Sequence, residues 1–434
     1  MLVHVRGTFP HRPRVGRRAF SRRKGLSQVS TISLRAACHR SLRDACLTAA
    51  ACLVLGSCSV FLAGCGDDES FPPASSAAAT EVVFSPEGNN LWAYNTAPPF
   101  ASQKVNAANH TFDGSPGNPT GWDINGQVCS FTKNGKHYLI TGEDTHQPNP
   151  PAGWGIFELT GSSVGQFAVN RVARLVPTYQ PTPDGPDNYG CGVLSDGRIV
   201  TTDIGNEASG PANGQLEIWF PPFSGDQVSF CKLDLQLATG QGIYVDKDDT
   251  LYLNSPRSAT EADATAAGVF KYTGPFPTSA DAAGGCGQLD NLGSPLADTL
   301  HKERVLSAGP PGLTSPSGIT RGPNGDFFVA SVLTGVINEY DSNWQYVRAV
   351  LRPPPGERLG QQPFSTGTPL GITVGPDGTL YYADIGIVAG SSGIGPGNHT
   401  GSLRRITFTG GLPNPPETIA DNLQFPDGLG LWLR

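Results

Sequence analysis

Two stretches decide the fold: SPSGITRGPNGDFFVAS at 315–331 and TPLGITVGPDGTLYYADIG at 368–386. Each reads as a short apolar strand, an Asx-Gly turn, and a second apolar strand ending in a polar residue. In both, a glycine (Gly318 or Gly371) stands seven residues before the turn glycine, Gly325 or Gly378. Weaker copies are YGCGVLSDGRIVTTD (189–203), QGIYVDKDDTLYLNS (241–255) and QVCSFTKNGKHYLITGED (127–144). The turns then fall at Gly135, Gly197, Asp249, Gly325 and Gly378, with Asp249 where the other copies carry glycine. After most copies comes a third strand, such as GQLEIWFP, AGVFKYTG, GVINEYD or GSLRRITF, and then a fourth, such as VSFCKLDL or YVRAVLR.

Four short antiparallel strands repeated about every fifty residues read as β-propeller blades, each burying both faces against its neighbours. A ring needs closure. The C-terminal FPDGLGLW (425–432) supplies one more first strand and then stops where its turn would begin. EVVFSP, NLWAYN and ASQKV, near residue 81 onward, supply three unclaimed strands. Together they make a sixth blade that removes open sheet edges, so the expectation is an all-β, six-bladed propeller over 81–434. A seventh blade is the alternative, since EVVFSPEG also reads as a first strand of its own.

Composition agrees. The 434 residues include 55 Gly and 38 Pro, about a fifth turn formers, with 15% charged and 38% apolar residues. That is too punctuated for a helical bundle and too apolar for a disordered chain.

Residues 1–64 carry eleven Lys/Arg and one acid, Asp44, a local charge of +10 within a chain of −7, so the remainder stands at −17. An uncharged run of 18 residues, 45–62, leads into Leu62-Ala63-Gly64-Cys65. This is a signal-peptide pattern, and its end resembles the lipobox of bacterial lipoproteins. That resemblance implies lipidation of Cys65 and an extracytoplasmic domain held to the membrane by lipid alone, in the cell envelope. An uncleaved signal anchor is the alternative, because the run is just long enough to span. Residues 65–80, acidic and Ser/Ala/Pro-rich, read as a flexible tether. Such an acidic mature chain repels phosphate backbones, which argues against nucleic acid as a partner.

The repeats resemble NHL-repeat and SMP-30/gluconolactonase-like propellers, strongest in the two stretches quoted. Propellers of this kind serve as enzymes, binding modules and scaffolds alike. The first-to-second turns are tight in every copy, whereas the second-to-third loops are long, which gathers polar loops on one rim. That rim carries Glu143, Asp144, His146, Asp203, Asn206, Asn254, Arg257, Asp384 and His399. The competing structural role for Asp and Asn after a strand is to cap loops by accepting backbone N–H bonds.

The resemblance further implies a Ca²⁺ on Glu, Asn and Asp residues preceding the glycine that opens a first strand. The corresponding positions are Gln127, Tyr189, Gln241, Ser317, Leu370 and Asp427, and only Asp427 matches. A metal would therefore fall to Asp427 with Asn188, Asn254 or Glu143, and His146 or Glu143 would activate water for lactone or ester hydrolysis. The departure at the other positions favours instead a ligand- or protein-binding module: a monomer whose long-loop face engages an envelope protein or a small molecule. HExxH and P-loop patterns are missing, and the mature histidines show no zinc spacing.

Four further cysteines remain beyond Cys65. Cys129 and Cys191 each stand six residues before their turn glycine, which puts them on neighbouring inner strands and predicts a bridge. Cys231 with Cys286 would then pin the Gly/Ala-rich excursion around 281–289 to an outer strand. An even count suits an oxidising compartment.

Overall fold

The computed structural model describes residues 81–109, 121–145, 152–177, 188–204, 214–237, 239–256, 267–290, 293–309, 311–391 and 393–433. These contain strands, two short 3₁₀ turns and no α-helix, arranged as six blades.

The first blade is the closure. Gly430–Leu433 pairs antiparallel with Glu81–Glu87, which pairs with Asn90–Asn95 and then Ser102–Lys104. One C-terminal strand thus completes three N-terminal ones, which leaves six blades and no seventh.

The second blade runs Trp122–Lys133, Lys136–Thr145, Gly153–Thr160, Ala168–Leu175, and Asn106–Ala107 adds a parallel fifth strand. The third runs Asn188–Val193, Ile199–Asp203, Gly214–Trp219, Phe230–Leu237. The fourth runs Ile243–Val245, Leu251–Ser255, Gly268–Thr273, His301–Ser307. The fifth is Pro316–Arg321, Phe327–Ser331, Val336–Tyr340, Tyr346–Leu351, and the sixth Pro369–Val374, Leu380–Asp384, Gly401–Ile406, Glu417–Leu423.

From the third blade to the sixth the turns between first and second strands are chemically one turn repeated, whereas the second blade turns on Asn134 and Gly135, at φ 52° and 73°, between the paired Lys133 and Lys136. In the fifth blade Gly322 N donates to Asp326 O at 2.8 Å and Gly325 N to Gly322 O at 3.0 Å. Gly375/Thr379 with Gly378/Gly375, and Leu194/Arg198 with Gly197/Leu194, repeat both bonds within 0.1 Å. Asp246/Thr250 with Asp249/Asp246 does so at 2.9 Å each. Asp249 adopts φ 63° where its counterparts are glycines at 84–88°, a conformation Asp tolerates better than most side chains. Its carboxylate also accepts the N–H and hydroxyl of Ser195 in the neighbouring turn, at 2.7 and 2.6 Å.

Every pair of neighbouring blades shares one apolar core. Phe84, Leu139 and Phe157 join the first two blades, and Trp154, Ile199 and Trp219 the next two. Leu216, Ile218 and Leu253 follow, then Tyr252, Val329 and Tyr340, then Phe328, Tyr382 and Ile406. Val83, Tyr381 and Leu403 complete the ring. Each large apolar side chain buried in this way contributes roughly 1.5–3 kcal/mol. Trp154 and Trp219 pack within this ring, both fully buried with centroids 6.2 Å apart.

Both expected cysteine pairs stand at bonding distance. Cys129 and Cys191 join the inner strands of the second and third blades with Cα atoms 6.0 Å apart. Cys231 and Cys286, at 6.3 Å, tie the third blade to an excursion from the fourth. That excursion lays Pro295–Leu296 beside Phe230–Leu237 and adds Gln288–Leu289 outside it.

Candidate functional site

The long-loop end of the ring is where a channel would open, and there the inner strands converge until their backbones touch. A Cβ on Gly126 would come 2.6 Å from Tyr189 O, on Gly242 2.7 Å from Ser317 O, and on Gly318 2.6 Å from Leu370 O. Gly190 and Gly428 abut Gln241 O and Gly126 O more closely still. Only glycine allows this approach, and it lets Gly242 N donate directly to Ser317 O across blades at 3.0 Å.

Two side chains cross the closed ring. Gln127 of the second blade spans to the fourth, donating to Ile243 O at 2.9 Å and accepting from Ile243 N at 3.0 Å. Tyr189 of the third blade reaches the first, its hydroxyl donating to Asp427 O at 3.0 Å.

Above the ring lies a seventh apolar cluster: Tyr189, Leu370, Val332, Ile385 and Ile387, flanked by Ile204, Leu333, Leu359 and Phe425. Tyr189 and Leu370 lead inner strands three blades apart, so among the described residues this apolar cluster draws on both sides of the ring.

The polar residues ending the second strands are structural fasteners. Glu87 accepts Gln424 N at 2.8 Å, Ser255 accepts Thr239 N at 3.3 Å, Ser331 accepts Ser315 N at 3.1 Å, and Asp384 accepts Thr368 N at 2.7 Å. Each ties the chain entering a first strand to the end of the second. Asp384, expected on the binding rim, is fully buried. It also takes the Thr368 and Ser402 hydroxyls, Gly386 N, and Arg404 at 3.4 Å. Its bonding capacity is spent on the fold. Asp203, at the matching place in the third blade, is likewise buried.

Glu143, expected as a metal ligand or base, instead anchors two guanidiniums. Its Oε1 lies 2.5 Å from Arg174 Nε and 3.1 Å from Arg171 Nη1, and both cations stack on Trp122, at 4.3 and 4.9 Å. Burial pushes the Arg174 guanidinium below its ordinary value, against the pull of Glu143. These arginines sit 28 and 31 residues from Glu143 on a fourth strand, and no local motif announces the pairing.

Of the four residues proposed for a metal, Asn188 lies against Gly142, beside Glu143. Asn188 turns to donate to Gly153 O, and Glu143 is held by the arginines. Asn254 lies fully buried on the fourth blade's second strand, with neither amide atom hydrogen-bonded. Asp427 alone stands at the ring, its Oδ2 accepting Gly126 N at 2.9 Å and its Oδ1 buried without a hydrogen-bond partner. Burial pushes its carboxyl up to about 7, the Gly126 N–H pulling the other way. This donor set does not fit a shared cation, and among the described residues no three His, Cys, Asp or Glu side chains group to hold one.

A register correction follows. Gly126, not a residue after Gln127, holds the ring position in the second blade, because a bulge lies between Asn125 and Cys129. Asn125, rather than Gln127, therefore precedes the ring glycine. Of the remaining rim candidates, Asp144 is half-buried opposite Asp123, and His399 is exposed with Nδ1 3.1 Å from Asn422 O. His146, Asn206, Arg257 and Cys65 lie outside the described residues.

No family model matches the chain, and no curated protein does. Among solved structures it is similar to a protein from Lactobacillus plantarum, at 10% identity and TM-score 0.46, over 82% of this chain and 100% of that one. It is also similar to virginiamycin B lyase from Staphylococcus aureus, at 10% identity and TM-score 0.38, over 82% and 99%. A calcium-binding protein, regucalcin from Agrobacterium tumefaciens, matches at 14% identity and TM-score 0.36, over 70% and 81%. These likenesses are too distant to carry an activity, and the class, a six-bladed β-propeller, rests on the strand pairing above.

Proposed function

We propose that this propeller is a binding module, lipid-anchored through Cys65 on the extracytoplasmic side, that engages a protein or small ligand on its long-loop face without chemistry of its own. The observation that supports the reading is that Glu143 and Asp384 are committed to the fold, beside an apolar cluster of Tyr189, Val332, Leu370, Ile385 and Ile387. Two cysteine pairs at bonding distance support an oxidising compartment.

The experiment is site-specific photo-crosslinking in the cell envelope. One probe replaces Ile394, 57% exposed on the long-loop hairpin Ile387–Gly390/Gly393–Pro396, and the other replaces Leu412, 63% exposed on the opposite face. A discrete adduct from position 394 and none from 412 is expected. The reverse pattern would move function to the tight-turn face.

One observation favours a second reading, a divalent-metal-dependent lactonase or esterase: Asp427, at the ring, has a carboxyl able to exchange a proton near neutral pH. Chelator-sensitive turnover lost in Asp427→Asn would establish it.

A further inference from the structure

The tight-turn face, opposite the long loops, holds a cleft of about 350 Å³ wedged between the fifth and sixth blades. Its size reaches the lower range of small-molecule sites. We propose that this cleft binds a small organic cation with an apolar body, such as an aryl- or alkylammonium. The proposal is independent of the long-loop reading, since it concerns another face and another kind of ligand.

The cleft arises from the repeat itself. Pro323 and Asn324 come from the fifth blade's first turn, Asp377 and Thr379 from the sixth blade's, and Phe408 from the sixth blade's outer hairpin. On the fifth blade, cross-strand pairing aligns Thr320, Phe328, Glu339 and Arg348 in one row toward the sixth. Of that row, Phe328 and Glu339 are buried at the floor of the cleft and Arg348 is the more exposed member.

Two features set the ligand class. First, Phe328 and Phe408 wall the cleft with ring centroids 6.1 Å apart at 51°, and aromatic faces attract cations electrostatically. Second, the charge is unbalanced. Glu339 and Asp377 line the cleft with one cation, Arg348, whose Nε is already spent on Glu339 at 2.5 Å. Asp326 lies beside Glu339, and burial, reinforced by Asp326, holds the Glu339 carboxyl above its ordinary range against the pull of Arg348. An incoming anion would meet two lining carboxylates, with Asp326 behind Glu339, for one paired guanidinium. A neutral apolar molecule would gain area but forgo both attractions. The −17 charge of the chain beyond residue 64 adds a field of the same sign.

The test titrates the full-length protein, in mild detergent, with benzyltrimethylammonium and separately with phenylacetate, read by calorimetry. Saturable binding of the ammonium and none of the carboxylate is expected. Phe408→Leu, which keeps bulk but removes the ring, should weaken the ammonium roughly 2- to 30-fold, the range of a cation–aromatic contact. Asp377→Asn, whose amide oxygen can still accept Thr379 N, should weaken it several-fold and tests the charge even if the Phe408 variant misfolds. Phenylacetate binding as tightly as the ammonium, no saturation by the ammonium, or ammonium binding indifferent to both substitutions would overturn the proposal.

Discussion

Replacing Asp384 with alanine separates a fastener from a binding residue. Its carboxylate receives two backbone N–H groups, Thr368 at 2.7 Å and Gly386 at 2.9 Å, and two hydroxyls, Thr368 at 3.1 Å and Ser402 at 2.8 Å. Arg404 stands 3.4 Å away. Asp384 is fully buried, so its removal strands donors that water cannot easily reach. Breaking a buried hydrogen-bonded charge cluster costs about 3–5 kcal/mol. For the roughly 300 described residues the unfolding entropy is about 0.6 kcal/mol/K, so that loss lowers Tm by about 5–8 °C. Asp384→Asn, which keeps the shape and half the acceptors, should fall between wild type and alanine. The assay is thermal unfolding by circular dichroism, checked by urea denaturation at 25 °C. A Tm within 1 °C of wild type, or above it, would refute the structural assignment. A binding residue held in the fold for function is the kind of group whose loss leaves stability unchanged or raised.

The Asp427 carboxyl, pushed up to about 7 from an unfolded value near 3.9, favours folding in its protonated form. Its contribution is complete below the unfolded value and is lost as pH rises through about 7, with an upper size of roughly 4 kcal/mol. Urea denaturation should therefore show stability declining between about pH 4 and 7, levelling off above, and a flatter profile in Asp427→Asn; parallel profiles would contradict the burial argument. Gly318→Ala drives a Cβ to 2.6 Å from Leu370 O and should cost about 1–3 kcal/mol in urea denaturation, whereas Gly410→Ala, with open space around it, should show only its φ penalty. Cys231→Ser, opening a closure of 55 residues, should lower stability by about 2–4 kcal/mol, a loss that reduction of the wild type reproduces in part.

Much of this fold is legible in the sequence, for a physical reason: each blade must make the same turn and present the same inner strand. The Asx-Gly spacing at Gly325 and Gly378 records that requirement directly. Closure is legible because FPDGLGLW and EVVFSP each lack a partner nearby, and Cys129 pairs with Cys191 because equivalent positions on adjacent inner strands come close. The site is less legible, since its chemistry lies in long-range partners. Nothing near Glu143 announces Arg171 and Arg174. The bulge after Asn125 displaces the count that put Gln127 in place of Asn125, because a bulge changes register without changing composition. The cluster of Tyr189, Leu370, Val332, Ile385 and Ile387 gathers residues from two inner strands and two second-to-third-strand connections, each of which reads locally as ordinary apolar filler.

The proposal of a long-loop face without chemistry of its own is tested most directly by following lactone and ester hydrolysis by the purified full-length protein with Ca²⁺ and with chelator, alongside its bound metal by elemental mass spectrometry. The account predicts no chelator-sensitive turnover and no stoichiometric divalent ion retained through chelation. One tightly held ion per chain, with turnover that chelation and Asp427→Asn both abolish, would contradict it.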